Sequence, residues 1–161
     1  MALPFWVLFF AVFTSVCCDD DIAASVTLTG QAVIKYSNEL LKNFMREEVG
    51  SDNISERDLE ECIVYNDTDS SYISIKPLVD NGVKFWESKE DALVHQETYD
   101  KIQEIEDYLN EGITSWAKKA LLTHDPRFVF KREMIADVAT FLQKKRYVMH
   151  ILDDEGIKEN K

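Results

Sequence analysis

Asp125-Pro126-Arg127-Phe128-Val129-Phe130-Lys131-Arg132-Glu133-Met134-Ile135-Ala136-Asp137-Val138-Ala139-Thr140-Phe141-Leu142 is the stretch on which the fold class turns. Its apolar residues recur in steps of three and four at Phe130, Met134, Val138, Phe141 and Leu142, and continue at Val148, Met149 and Leu152. That spacing is the stripe of an amphipathic helix. Asp125 suits the N-cap, and Pro126 suits the first helical position, where its missing N–H costs nothing. The stretch therefore predicts a last helix that buries one face.

Working back along the chain, the same period recurs. From Ser88, a cap candidate with Asp91 three residues on, Ala92, His95, Tyr99, Ile102, Ile105, Leu109, Ile113, Trp116 and Ala120 follow at helical spacing. The opposite face carries Glu, Asp, Gln and Lys, with Gly112 as a potential break. Pro77 suits the first turn of a helix holding Leu78, Val79, Val83 and Trp86. Tyr72-Ile73-Ser74-Ile75 alternates, but a single strand has nothing to pair with, so it reads as an extended lead-in. Ser55-Glu56-Arg57-Asp58 resembles a capping box opening a short helix through Leu59, Cys62 and Ile63. A helix from about Ile22 to Val49 ends at Gly50, which takes the left-handed C-terminal position cheaply. The expectation is an all-α, single-domain bundle of four to five amphipathic helices.

Residues 1–18 contain no charge. An apolar run, Phe5 to Phe13, is followed by Thr14-Ser15-Val16-Cys17-Cys18 and then Asp19-Asp20-Asp21. This is a secretory signal pattern with cleavage after Cys17 or Cys18. The run is shorter than the ~20 residues a spanning helix needs, so no stable membrane anchor is expected. The division is then a signal over 1–18, a helical domain over 19–152 and a polar tail over 153–161. Cleavage makes the product secreted and extracellular, and leaves Cys62 alone or facing Cys18. Cys62 reads as a buried filler or as the link of a homodimer, disulfide-bonded or non-covalent. Asn53-Ile54-Ser55 and Asn66-Asp67-Thr68 are glycosylation sequons in polar stretches, at Asn53 and Asn66.

The chain of 161 residues holds 30 acidic and 18 basic side chains, a net charge of −12, with 45% apolar residues. One domain of ordinary composition fits these figures. Residues 19–113 carry 23 acidic and 8 basic side chains, and residues 114–152 carry 3 and 8. An acidic body thus precedes a basic stretch. Binding of nucleic acid across the whole surface is excluded, because phosphate neutralisation needs clustered Lys and Arg.

Catalytic patterns are absent from the sequence. His95, His124 and His150 have no metal-ligand spacing, and there is no Gly-rich phosphate loop, nucleophile elbow or calcium loop. No enzyme activity, cofactor or metal is expected. The function expected is that of a small extracellular modulator or effector that binds a partner protein bearing an acidic patch. The basic set Lys131, Arg132, Lys144, Lys145 and Arg146 is its candidate contact face. One alternative is a carrier of a small hydrophobic ligand lined by Trp86, Trp116, Phe130 and Phe141, although core packing accounts for the same aromatics. Another is a helical cytokine-like hormone. In overall style the chain resembles, as a class only, secreted salivary, seminal, haemolymph or immune-type proteins.

Overall fold

The computed structural model describes residues 3–12, 20–67, 70–122, 124, 126, 128–143, 145–155 and 157–158. In chain order the elements are β1 (Leu3–Val12), α1 (Asp20–Val49), α2 (Glu56–Glu61), β2 (Ile63–Asn66), β3 (Ser70–Ser74) and α3 (Lys76–Asp80). Then come β4 (Trp86–Ser88), β5 (Leu93–Val94), α4 (Gln96–Ala120), β6 (Val129–Gln143), β7 (Arg146–Asp154) and β8 (Ile157–Lys158). The all-α expectation is overturned. A six-stranded sheet in the order β2-β3-β1-β6-β7-β8 is paired antiparallel throughout, and β4 and β5 form a separate ribbon.

The first three helices follow from local chemistry. Val33, Leu40, Leu41, Phe44, Met45 and Val49 give α1 a continuous buried face. Gly50 ends it with φ at +87°, a conformation that favours glycine. Ser55 and Asp58 form a reciprocal capping box on α2. Pro77 lies in the first turn of α3. The fourth helix starts later than its spacing suggested: His95 caps α4, its Nδ1 accepting from the Glu97 N–H at 3.1 Å. Ser88 and Asp91 bond to each other in the turn between β4 and β5 instead, and Trp86 is in a strand. Gly112 does not break α4. It lets α1 approach, since a Cβ there would lie 2.5 Å from Leu40 Cδ1.

The predicted last helix is the β6–β7 hairpin. The helical spacing does not mark a buried stripe, since Val138, Leu142 and Val148 are exposed; bulges set which residues are buried. The ladder of β6 with β1 slips at Leu8/Phe9, and its ladder with β7 slips on both sides of Ala136. Each inserted residue resets the alternation of faces. On the helix-facing side the buried Phe130 and Ile135 therefore lie five apart, and in the second cluster the buried Ala136 and Ala139 lie three apart, odd steps in both cases. Pro126 is outside any helix, and Asp125 lies outside the described residues. Tyr72 to Ile75 is likewise corrected: Tyr72, Ile73 and Ser74 belong to β3, whose missing partners are β1 and β2.

α1 and α4 cover one face of the sheet through Val33, Phe44, Met45, Ile102, Ile105 and Ile113, which pack with Ile73, Phe130, Ile135 and Leu152. Tyr72, Ala136 and Ala139 form a second cluster with Tyr65, Met134, Phe141 and Met149. There the sheet curls upon itself. The Tyr72 O–H donates to Tyr147 Oη at 2.7 Å, and the Lys145 N–H donates to Tyr65 Oη at 3.2 Å. The rings of Tyr65 and Phe141 stack at 5.7 Å, and Tyr72 meets Phe141 edge-on at 5.4 Å. The hairpin end is thus clasped to β2 and β3, strands with which it has no ladder.

Two segments set apart in the sequence belong to this sheet. Leu3–Val12, within the stretch read as a signal, is flanked by β3 on one side and β6 on the other. Residues 153, 154, 157 and 158, within the polar tail, extend β7 and form β8.

Candidate functional site

The basic set does not form one face. Lys131 is exposed at the start of β6, in register with Phe10 of β1. Lys145 and Arg146 are at the other end of the strand, on the order of 40 Å away along an extended chain. Lys145 has a φ of +61° in the hairpin turn, and its ammonium lies 3.7 Å from Asp67. Arg146 is exposed opposite Gln143. Lys144 lies outside the described residues.

Arg132 faces inward. Its guanidinium pairs with Asp153, which is 2% exposed, and lies 5.7 Å from the centre of the Tyr99 ring. The Tyr99 O–H donates to the other Asp153 oxygen at 3.3 Å. Burial, reinforced by the Asp153 charge, pushes the Tyr99 phenol up to about 12. The Arg132 N–H donates to Glu106 on α4 at 2.9 Å. Asn110 takes both backbone groups of Phe130, at 2.7 and 2.9 Å. These contacts tie the first part of β6 to α4.

The aromatic set is equally dispersed. Phe130 is in the main core, while Phe141 is in the tyrosine cluster. Trp116 stacks on Tyr36 between α4 and α1 at 5.3 Å, and Trp86 meets Phe85 at 4.9 Å. No described cavity is shared by the four. Cys62 is 1% exposed, and burial first, then the charges of Asp58 and Glu61, push its thiol up to about 12. Both sequon asparagines are exposed: Asn53 Nδ2 donates to the Val49 carbonyl, and Asn66 Oδ1 accepts from Ser71 Oγ. His150 Nδ1 lies 2.7 Å from Asp137 Oδ1, joining β7 to β6. Among the described residues no three His, Cys, Asp or Glu side chains converge as a metal site requires, and no helix is long and apolar enough to cross a membrane.

What the structure does form is a cleft of about 750 Å³ beside α2 and α3. Val49, Ile54, Ile63, Val64 and Pro77 supply apolar lining, and Asp58, Glu60, Glu61 and Asp80 supply negative charge. Arg57 and Lys76 are the basic lining residues. Arg57 pairs with Glu61 at 2.8 Å, Lys76 pairs with Asp80, and Lys42 pairs with Glu60 at 2.6 Å. These are solvent-facing pairs of small worth, so a better-placed cation displaces them at little cost. Asn53 also lines the cleft. The signal for this site in the sequence was only the capping box and Pro77, which position the two short helices but say nothing of the space between them. Comparison with protein-family models, with curated proteins and with solved structures returned no match.

Proposed function

We propose that the protein is a secreted binding protein that acts on a protein partner, and that the cleft beside α2 and α3 receives a cationic, partly apolar segment of that partner. The observation that carries this reading is the cleft itself: it combines apolar lining with more acidic than basic side chains, and it is large enough for several residues of peptide. The contact face shifts from the basic residues to an acidic one, because Arg132 is committed internally and Lys131 and Arg146 lie at opposite ends of the β6–β7 hairpin.

Fluorescence anisotropy with a labelled peptide of Lys and Leu tests the reading, against a Glu and Leu peptide of the same length. Binding of the cationic peptide should fall with salt, and at least tenfold in a Glu61→Lys, Asp80→Lys variant. A Lys131→Glu, Arg146→Glu variant should bind as the parent does. Equal binding of both peptides, or no effect of the cleft substitutions, refutes it.

A further inference from the structure

β1 is the middle of the sheet, and its residues are also those that secretion would remove. We propose that the secreted protein is a strand acceptor: with residues 1–18 removed, the place of β1 between β3 and β6 receives an extended, uncharged, apolar segment of a partner chain. The inference rests on the secretory part of the reading above, and concerns a different surface from the cleft.

The register defines the guest. Trp6 to Phe10 pair with Ser74 to Ser70, and Leu3 to Val12 pair with Ala139 to Val129, antiparallel on both sides. Flanking strands on both edges offer a guest of about ten residues two rows of backbone partners, the mode of recognition in which an added strand completes a sheet. At the position of Val7 the neighbours are Ile73 and Ile135, both in the helix-facing core; at Leu8 they are Tyr72 and Met134, both in the second cluster. These two successive positions therefore have apolar neighbours on both faces, which suits a continuous apolar run, whereas at Phe9 and Phe10 the neighbours are Ser71 and Arg132, then Ser70 and Lys131. A charge at the Val7 or Leu8 position does not fit.

The flanks have ties besides their ladders to β1. Asn110 and Glu106 hold β6 to α4, and the Ser74 N–H donates to the Cys62 carbonyl at 2.7 Å at the end of α2. The tyrosine clasp joins β3 to the β6–β7 hairpin directly. Because β3 and β6 are each antiparallel to β1, they run parallel to each other. Closing the gap would need both a new parallel ladder and a movement of about 5 Å, one strand spacing. The clasp and the α4 contacts oppose that movement.

The experiment starts from the full chain secreted by a eukaryotic host, its N-terminus fixed by intact mass. Hydrogen exchange is then followed with and without a synthetic Leu3–Val12 peptide carrying terminal lysines, and with the same peptide bearing Val7→Asp. Support is loss of residues 1–18, fast exchange at Ser70–Ser74 and Val129–Ala139, and at least tenfold slowing at both strands by the first peptide alone. A fluorescent fatty acid should not compete. If the shortened chain does not stay folded, full chain with a protease site placed among residues 13–19 is folded, cleaved and challenged with labelled peptide, which should exchange in. Retention of residues 1–18 on the secreted protein, strands already protected without peptide, indifference to Val7→Asp, displacement by the fatty acid, or no exchange after cleavage each overturns the proposal. The Glu61→Lys, Asp80→Lys variant should protect as the parent does, so failure of the cleft reading is distinguishable from failure here.

Discussion

Replacing Arg132 with methionine separates an internal role from a recognition role. The change removes the guanidinium from Asp153 while keeping most of the side-chain volume. Asp153 is 2% exposed and the Arg132 side chain 19%, so the pair is nearly dry. Breaking a buried ion pair from one side costs about 3–5 kcal/mol, because the remaining charge stays desolvated. Partial access of water to the arginine puts the expectation at the lower end, about 3 kcal/mol. For a chain of this size that is a fall in Tm of roughly 6–12 °C. Asp153→Leu alone should cost a similar amount, whereas the double variant Arg132→Met, Asp153→Leu should lie within about 2 kcal/mol of the parent, since an apolar pair replaces an ionic one and the Tyr99 O–H loses its acceptor. Urea unfolding followed by far-ultraviolet circular dichroism, with midpoint and slope both recorded, measures all four proteins. A loss below about 1 kcal/mol for Arg132→Met, or additive single losses in the double variant, refutes the argument.

Gly112→Ala should destabilise by about 1–2 kcal/mol, overpacking against Leu40 exceeding the gain in helix propensity; Gly112→Ala combined with Leu40→Ala should cost less than the sum of the two, as a denaturation cycle will show. Tyr72→Phe should cost about 0.5–1.5 kcal/mol through loss of the bond to Tyr147, and an unchanged urea midpoint would contradict the clasp. The Cys62 thiol should resist iodoacetamide at mildly alkaline pH and react fully in urea, so comparable rates in the two states would show that it is not buried as described. Tyr99 and Tyr72 are both raised, chiefly by burial. A phenol raised in the folded state stabilises below its ordinary value of about 10 and loses that contribution as pH rises through the folded value. Stability should therefore decline above about pH 10, with phenolate absorbance of these rings lagging behind that of the denatured chain.

The helices α1, α2 and α3 were legible because their signals are local: an apolar stripe ending at Gly50, a reciprocal Ser55–Asp58 cap and a first-turn Pro77. The β6–β7 hairpin was not, for two reasons. Its bulges around Glu133 and Ala136 convert a period of two into odd steps of five and three, and Lys131 to Ala136 are mostly good helix formers, so their strand geometry is set by long-range pairing. Tyr72 to Ser74 had the right alternation, but no neighbour could be assigned while Leu3–Val12 was set aside as a signal. Among candidate residues, charge type was readable in Lys131, Arg132 and Arg146, whereas direction was not. A partner such as Asp153, 21 positions away, decides that Arg132 turns inward.

The position of β1 also has a consequence in time. Its two sheet partners begin at Ser70 and Val129, so the first strand to be synthesised is among the last to be paired. At ~5–20 residues per second, the chain between Val12 and Val129 takes roughly 6–25 s to appear. Throughout that interval an uncharged apolar segment has no β6 to receive it, while α1 and the capped α2 need only nearby residues to form. Whatever captures that segment before β3 has emerged competes against no sheet partner, and until β6 emerges it competes against β3 alone; after that the same segment would have to be withdrawn from two ladders. The topology therefore sets a deadline, before about residue 129, for any event that takes the N-terminus away from the fold.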